Sequence, residues 1–124
     1  VNRYKWNYKN ISKKLDKKNS KQSIFYQKIS NLLSVKSKQK AFHPNASRLN
    51  INLGSKIFAF KRVSLDKKQS IFCISNLSSK IQNINLENKY HKWKNLIGTK
   101  IKFKNKNLFI LKPFETMWLT NILD

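Results

Sequence analysis

The spacing of apolar positions changes near residue 45. Before that point it is helical. Asn10 to Lys17 can form two turns with Ile11 and Leu15 four apart on one face. A longer helix is predicted from an N-cap at Asn19 or Ser20 to about Lys38. Its apolar residues, Ile24, Phe25, Ile29, Leu32 and Leu33, fall in one stripe, with lysines and glutamines mostly elsewhere. A stripe of this kind requires a partner surface.

Pro44 interrupts the helical pattern and pushes His43 toward extended geometry. Leu49, Ile51 and Leu53 then alternate with Asn50 and Asn52, predicting a strand with one buried face that ends at Gly54. Ile57-Phe58-Ala59-Phe60 and Ile71-Phe72-Cys73-Ile74 are continuous apolar runs joined by Ser64-Leu65-Asp66-Lys67-Lys68. They predict a central hairpin covered on both faces. Further short strands are predicted at Ile81 to Leu86, Trp93 to Ile97, Thr99 to Phe103, Leu108 to Leu111 and Phe114 to Leu119. The expected class is α+β: an N-terminal helical segment over residues 1–45, then an antiparallel β-sheet or sandwich domain over residues 46–124.

With 124 residues and 40% apolar content, the chain can build one modest core. No apolar run approaches the roughly 18 residues of a membrane-spanning helix, so no membrane partner is expected. Val1-Asn2-Arg3-Tyr4-Lys5 is neither an apolar signal core nor a Met start, and it reads as the interior of a longer chain. The lone cysteine, Cys73, has no internal disulfide partner, which predicts a reducing, cytoplasmic setting.

The net charge of +22 is the loudest compositional feature and points in two directions. A basic chain attracts polyanions such as RNA. Yet Lys, Asn, Ile and Phe, all with A/T-rich codons, make up about half of the sequence, so base composition alone can produce the lysine excess. Three arginines against twenty-four lysines is a poor ratio for a reader of phosphate and guanine. Nucleic acid is therefore not the expected partner, and a small basic RNA-binding module of ribosomal type is the alternative reading.

The sequence offers little catalytic chemistry of its own. His43 and His91 are far apart and Cys73 lies inside a predicted strand, so no metal site is expected. A Cys73–His91 nucleophile is disfavoured because an apolar environment keeps a thiol inert. The five acids, Asp16, Asp66, Glu87, Glu115 and Asp124, sit in helix, turn, strand-start or terminal positions and form no predicted catalytic pair. Gly54 and Gly98, the only glycines, exclude a Gly-rich phosphate loop. Tyr4, Trp6 and Tyr8 near Arg3 and Lys5 are of the type that stacks on bases or sugars; the competing use is to anchor the lead-in. Trp93 and Trp118 read as core.

Five segments together resemble the C-terminal end of sucrose phosphorylase and related sugar phosphorylases of the α-amylase clan. They are Ala41-Phe42-His43-Pro44-Asn45-Ala46, Ile57 to Arg62, Ile71 to Ser78, Trp93 to Gly98, and Leu111 to Leu119. Val1-Asn2-Arg3 looks like the family's Ile-Asn-Arg segment in the loop after the last barrel strand. The resemblance implies that the helix at 20 to 38 is the last helix of a (β/α)8 barrel and that the sheet is an accessory C-terminal domain. It further implies retaining glucosyl transfer by two carboxylates of the barrel, with phosphate as co-substrate and no other cofactor. Those carboxylates belong to a barrel outside this sequence, so the chain alone is expected to be inactive and the barrel is its expected partner. Arg3 matches the arginine that holds the glucosyl ring, making it the one candidate substrate-binding residue.

Overall fold

The computed structural model describes residues 3–98, 103–105 and 107–122. The chain divides into two compact units, Val1–Lys36 and Ser37–Asp124. The stretch 37–45 falls within the second unit.

In the first unit, helix α1 spans Tyr8–Asp16 and begins two residues earlier than its apolar spacing suggests. The reason is Asn7, whose side chain accepts from the Lys9 amide at 2.9 Å and caps the helix. Lys13 and Lys14 in the last turn complement the helix dipole. Helix α2, Lys21–Ser37, starts where expected. Ser20 Oγ accepts from the Ser23 amide at 3.0 Å, and its hydroxyl also donates to the Lys14 carbonyl, so this cap ties the end of α1 to the start of α2. The predicted stripe is neither continuous nor covered: Lys21, Lys28 and Lys36 fall among its apolar positions around the helix, and Phe25 is 67% and Leu33 58% exposed, with Ile24 and Ile29 also exposed and Leu32 half-buried.

The second unit is antiparallel. Strands β1 (Ser47–Ile51), β2 (Ile57–Val63), β3 (Ser70–Asn76), β4 (Gln82–Asn85), β5 (Lys94–Asn95), β6 (Leu108–Leu111) and β7 (Thr116–Thr120) form two sheets. One is five-stranded, in the order β1-β2-β3-β7-β5; the other pairs β4 with β6. The fold is thus α+β, with two helices followed by antiparallel sheets.

β3 is the spine, apolar at consecutive positions because both its faces are covered. On one face Phe72 and Ile74 join Ala59, Met117 and Leu119, packed with Ile84, Leu86, Phe109 and Leu111 of the second sheet and with Tyr90. On the other, Ile71 and Cys73 pack with Ala41, and Phe42, Phe60, Leu96 and Trp118 close over them. Its hairpin partner β2 is covered less completely than predicted, leaving Phe58 45% exposed.

Three other strand expectations change. The face predicted to be buried is covered only in part: Ile51 and Leu53 pack against the core, whereas Leu49 is 64% exposed. Where a strand is predicted over Trp93 to Ile97, a 3-10 turn at Asn88–Lys92 precedes a two-residue β5. Tyr90 in that turn is buried against Phe72 with ring centroids 5.0 Å apart. Thr99 to Lys102 of the predicted Thr99–Phe103 strand lies outside the described residues; Phe103 forms an isolated bridge with Phe109.

Candidate functional site

Each described carboxylate whose partners are visible is engaged in local structure. Asp66 closes the β2–β3 turn, accepting from Ser64 Oγ at 2.6 Å and from the Lys68 amide at 3.1 Å, and pairs with Lys40 Nζ at 3.2 Å. The Ser64 hydroxyl, then the Lys68 amide, then Lys40 hold its carboxyl down at about 2. Lys67 in this turn takes a φ of 56°, in the left-handed region. Glu87 pairs with Lys89 two residues on. Glu115 Oε2 accepts from the Lys112 amide at 2.7 Å, fastening the β6–β7 turn.

Among the described residues no group of three or more His, Cys, Asp or Glu side chains comes together. Cys73 is pushed up to about 12 by burial, against the opposing pull of Arg62 and Arg48. It lies on one face of β3, whereas His91 stacks at 4.2 Å on Phe103, which packs on the cluster of the other face. The two cannot form a nucleophile–base pair. No helix among the described residues is long and apolar enough to cross a membrane.

Arg3, the one candidate substrate-binding residue, is exposed in the segment before α1. Its aromatic neighbours are only partly anchored. Trp6 meets Tyr4 edge-on at 5.0 Å and carries the Lys14 ammonium 4.4 Å from its ring centroid, yet Tyr4 is 74% and Tyr8 82% exposed. Trp93 and Trp118 pack in the core as predicted, against Tyr90 at 4.8 Å and Phe42 at 4.8 Å.

Two polar arrangements were not legible from spacing. The Ala41–Ala46 segment is a strap clamped to the sheet. Gln69, buried, accepts from the Ala41 amide at 2.9 Å, and the Arg62 guanidinium donates to the carbonyls of Ala41 at 3.0 Å and His43 at 2.5 Å. Asn76, 1% exposed, is a latch between the sheets. Its amide nitrogen donates to the carbonyls of Lys80 and Lys112, both at 2.8 Å, while its oxygen accepts from the Ser78 amide at 2.9 Å and hydroxyl at 2.8 Å. The strap and the Asn76-Leu77-Ser78 turn are two of the segments that carry the family resemblance, and here both hold the fold together. A cavity of about 180 Å³ beside the strap is lined by Lys40, His43, Ser64, Leu65 and Asp66, whose only described charge pair is already closed.

No protein-family profile matches the sequence, and no curated protein matches it. Solved structures do. The α-glucosyl transfer enzyme XgtA superposes on 88% of this chain with a TM-score of 0.65 at 14% identity. Trehalulose synthase MutB from Pseudomonas mesoacidophila MX-45 covers 88% with a TM-score of 0.64 at 15% identity, and a MutB variant in complex with the substrate sucrose covers 89%. The chain spans about a fifth of each of those proteins, 19% of their length. At these identities the likeness is one of fold: the chain is built like a segment of α-glucosyl-transferring enzymes.

Proposed function

We propose that this chain is the helix-and-sheet portion of a glucosyl-transferring enzyme of the α-amylase clan, of sucrose-phosphorylase type. The observation that carries the reading is the fold likeness along 88% of the chain to an α-glucosyl transfer enzyme of which it spans 19%. The ordered motifs from Ala41–Ala46 to Pro113–Leu119 support the phosphorylase assignment.

On this reading the sheet unit is an accessory β domain and the stripe of α2 seats on a (β/α)8 barrel. Two carboxylates of that barrel perform retaining transfer. One attacks the anomeric carbon of sucrose while a glutamic acid protonates the departing sugar; phosphate then displaces the enzyme carboxylate to give glucose 1-phosphate. Arg3 holds the glucosyl ring through its fork of N–H donors. No metal or organic cofactor takes part, the setting is cytoplasmic, and the chain by itself turns over no substrate.

The test joins this chain to the barrel of a related phosphorylase and assays phosphate-dependent cleavage of sucrose. Restored glucose 1-phosphate production is expected. Arg3→Lys should lower kcat/KM about tenfold, the loss of one charge-assisted hydrogen bond of about 1.5 kcal/mol. A joined protein that folds but only isomerises or hydrolyses sucrose would overturn the phosphorylase reading; one whose barrel gains no stability from the chain would overturn the accessory role.

A further inference from the structure

Beyond Arg3, the N-terminal segment carries aromatic and basic residues to which the proposed glucosyl transfer gives no role. From position 4 to position 8 every even residue is aromatic, Tyr4, Trp6 and Tyr8, and the odd positions from 3 to 9 are Arg, Lys, Asn and Lys. The structure keeps these rings at the surface. Tyr4 is 74% and Tyr8 82% exposed, and Trp6, braced by Lys14, still has 45% of its surface in solvent. Lysines continue along and beyond α1, so residues 3–18 hold seven basic side chains against the single acid Asp16. Lys9 and Lys13, one turn apart, are both exposed.

We propose that residues 3–18 form a binding surface for single-stranded nucleic acid. The rings supply π-faces on which unpaired bases stack, and the lysines neutralise the phosphates between them. A base-composition origin for the lysines does not weaken this, because the electrostatic field depends on where the charges stand and not on how they arose. The surface suits bases better than an anionic bilayer. Its exposed apolar groups are aromatic, while its aliphatic residues, Ile11 and Leu15, are half-buried and unavailable for insertion between acyl chains.

The experiment is fluorescence anisotropy of a labelled oligouridine of about 12 nucleotides, titrated with the full chain across a salt series. With about four phosphates neutralised, affinity should fall roughly 50-fold between about 50 and 200 mM salt. Tyr4→Ala and Tyr8→Ala should each weaken binding about tenfold while leaving the salt slope unchanged, the signature of lost stacking. Lys9→Glu with Lys13→Glu should flatten the slope. Lys80→Glu with Lys112→Glu, distant in sequence on the sheet unit, should do so far less. The proposal is overturned if both tyrosine variants bind like the parent, or if the sheet-unit lysine variants lose as much as those of α1. It is also overturned if phosphatidylglycerol vesicles displace the RNA through a site that Phe25→Ser and Leu33→Ser abolish.

Discussion

The helical unit and the sheet unit are built on opposite principles. In α1 no residue is fully buried and in α2 only Ser23 is, so these helices stand on caps and local hydrogen bonds, with several of their larger apolar side chains in solvent and the rest half-buried. The sheet unit has a spine, β3, whose consecutive apolar residues are covered on both faces by groups distant in sequence, with buried amides bridging the layers. Local rules suffice to shape a helix, but only non-local burial makes a unit hold itself together. The open stripe of α2 is where the first unit still has apolar surface to cover.

Substitutions sharpen this contrast in order of expected size. Phe72→Ala removes a ring that is 1% exposed and should cost the sheet unit about 4 kcal/mol, read as a fall in its urea midpoint. Asn76→Ala comes next. It removes the bonds to the Lys80 and Lys112 carbonyls, which keep the Ser78 hydroxyl and the Glu115 amide as donors, and leaves the Ser78 amide without its acceptor, at a cost of about 2 kcal/mol. Ser20→Ala acts on the other unit, removing the cap of α2 and the tie to Lys14. About 1 kcal/mol is expected, seen as lost helical ellipticity with the sheet unit's midpoint unchanged.

Acid should act through Asp66, and more weakly, because its ion pair with Lys40 is at the surface. The folded chain holds this carboxyl at about 2, below its ordinary 3.8. The unfolded chain therefore takes up the proton first. The contribution is complete above pH 4 and is lost as pH falls from about 4 toward 2. Asp66→Asn should remove that part of the acid sensitivity, while a parent and variant with identical acid profiles would place the loss elsewhere.

What the sequence made legible follows the same division. The start of α2 at Ser20 and the β2–β3 hairpin are readable, because capping chemistry and a two-sided apolar run are local signals. The class, helices followed by antiparallel strands, follows from the change of period near residue 45. Leu49 misleads because alternation reports that a strand has two kinds of face without reporting how far along the strand the cover extends: Ile51 and Leu53 pack against the core, while Leu49 lies beyond it. The strap stayed hidden because Arg62 and Gln69 hold it from some 20 to 28 residues away. Asn76 could not be singled out for the same reason: its acceptor, the Lys112 carbonyl, lies 36 residues further along the chain. The acids illustrate the converse: Asp66 and Glu115 are each bonded within their own turn, a local use that their positions between predicted strands already allow.

The smallest expected effect tests the comparison most sharply. Phe25→Ser with Leu33→Ser takes two side chains that are 67% and 58% exposed and makes them polar. Substitution at exposed positions typically changes stability by no more than about 0.5 kcal/mol. Serine lowers helix propensity by a few tenths of a kcal/mol per site relative to leucine, so α2 should lose a little ellipticity and the chain should keep its urea midpoint. Solubility should rise, because large apolar side chains in solvent favour self-association. In a chain joined to a catalytic barrel the same pair should behave in the opposite way. Each side chain then loses a burial worth about 1.5–3 kcal/mol, and the joined protein should be destabilised by about 3 kcal/mol or more. A neutral result in the chain with a large one in the joined protein would identify the stripe as a surface shaped for a neighbour. Neutrality in both would leave the stripe as ordinary solvent-facing helix and remove the structural ground for placing α2 against a barrel.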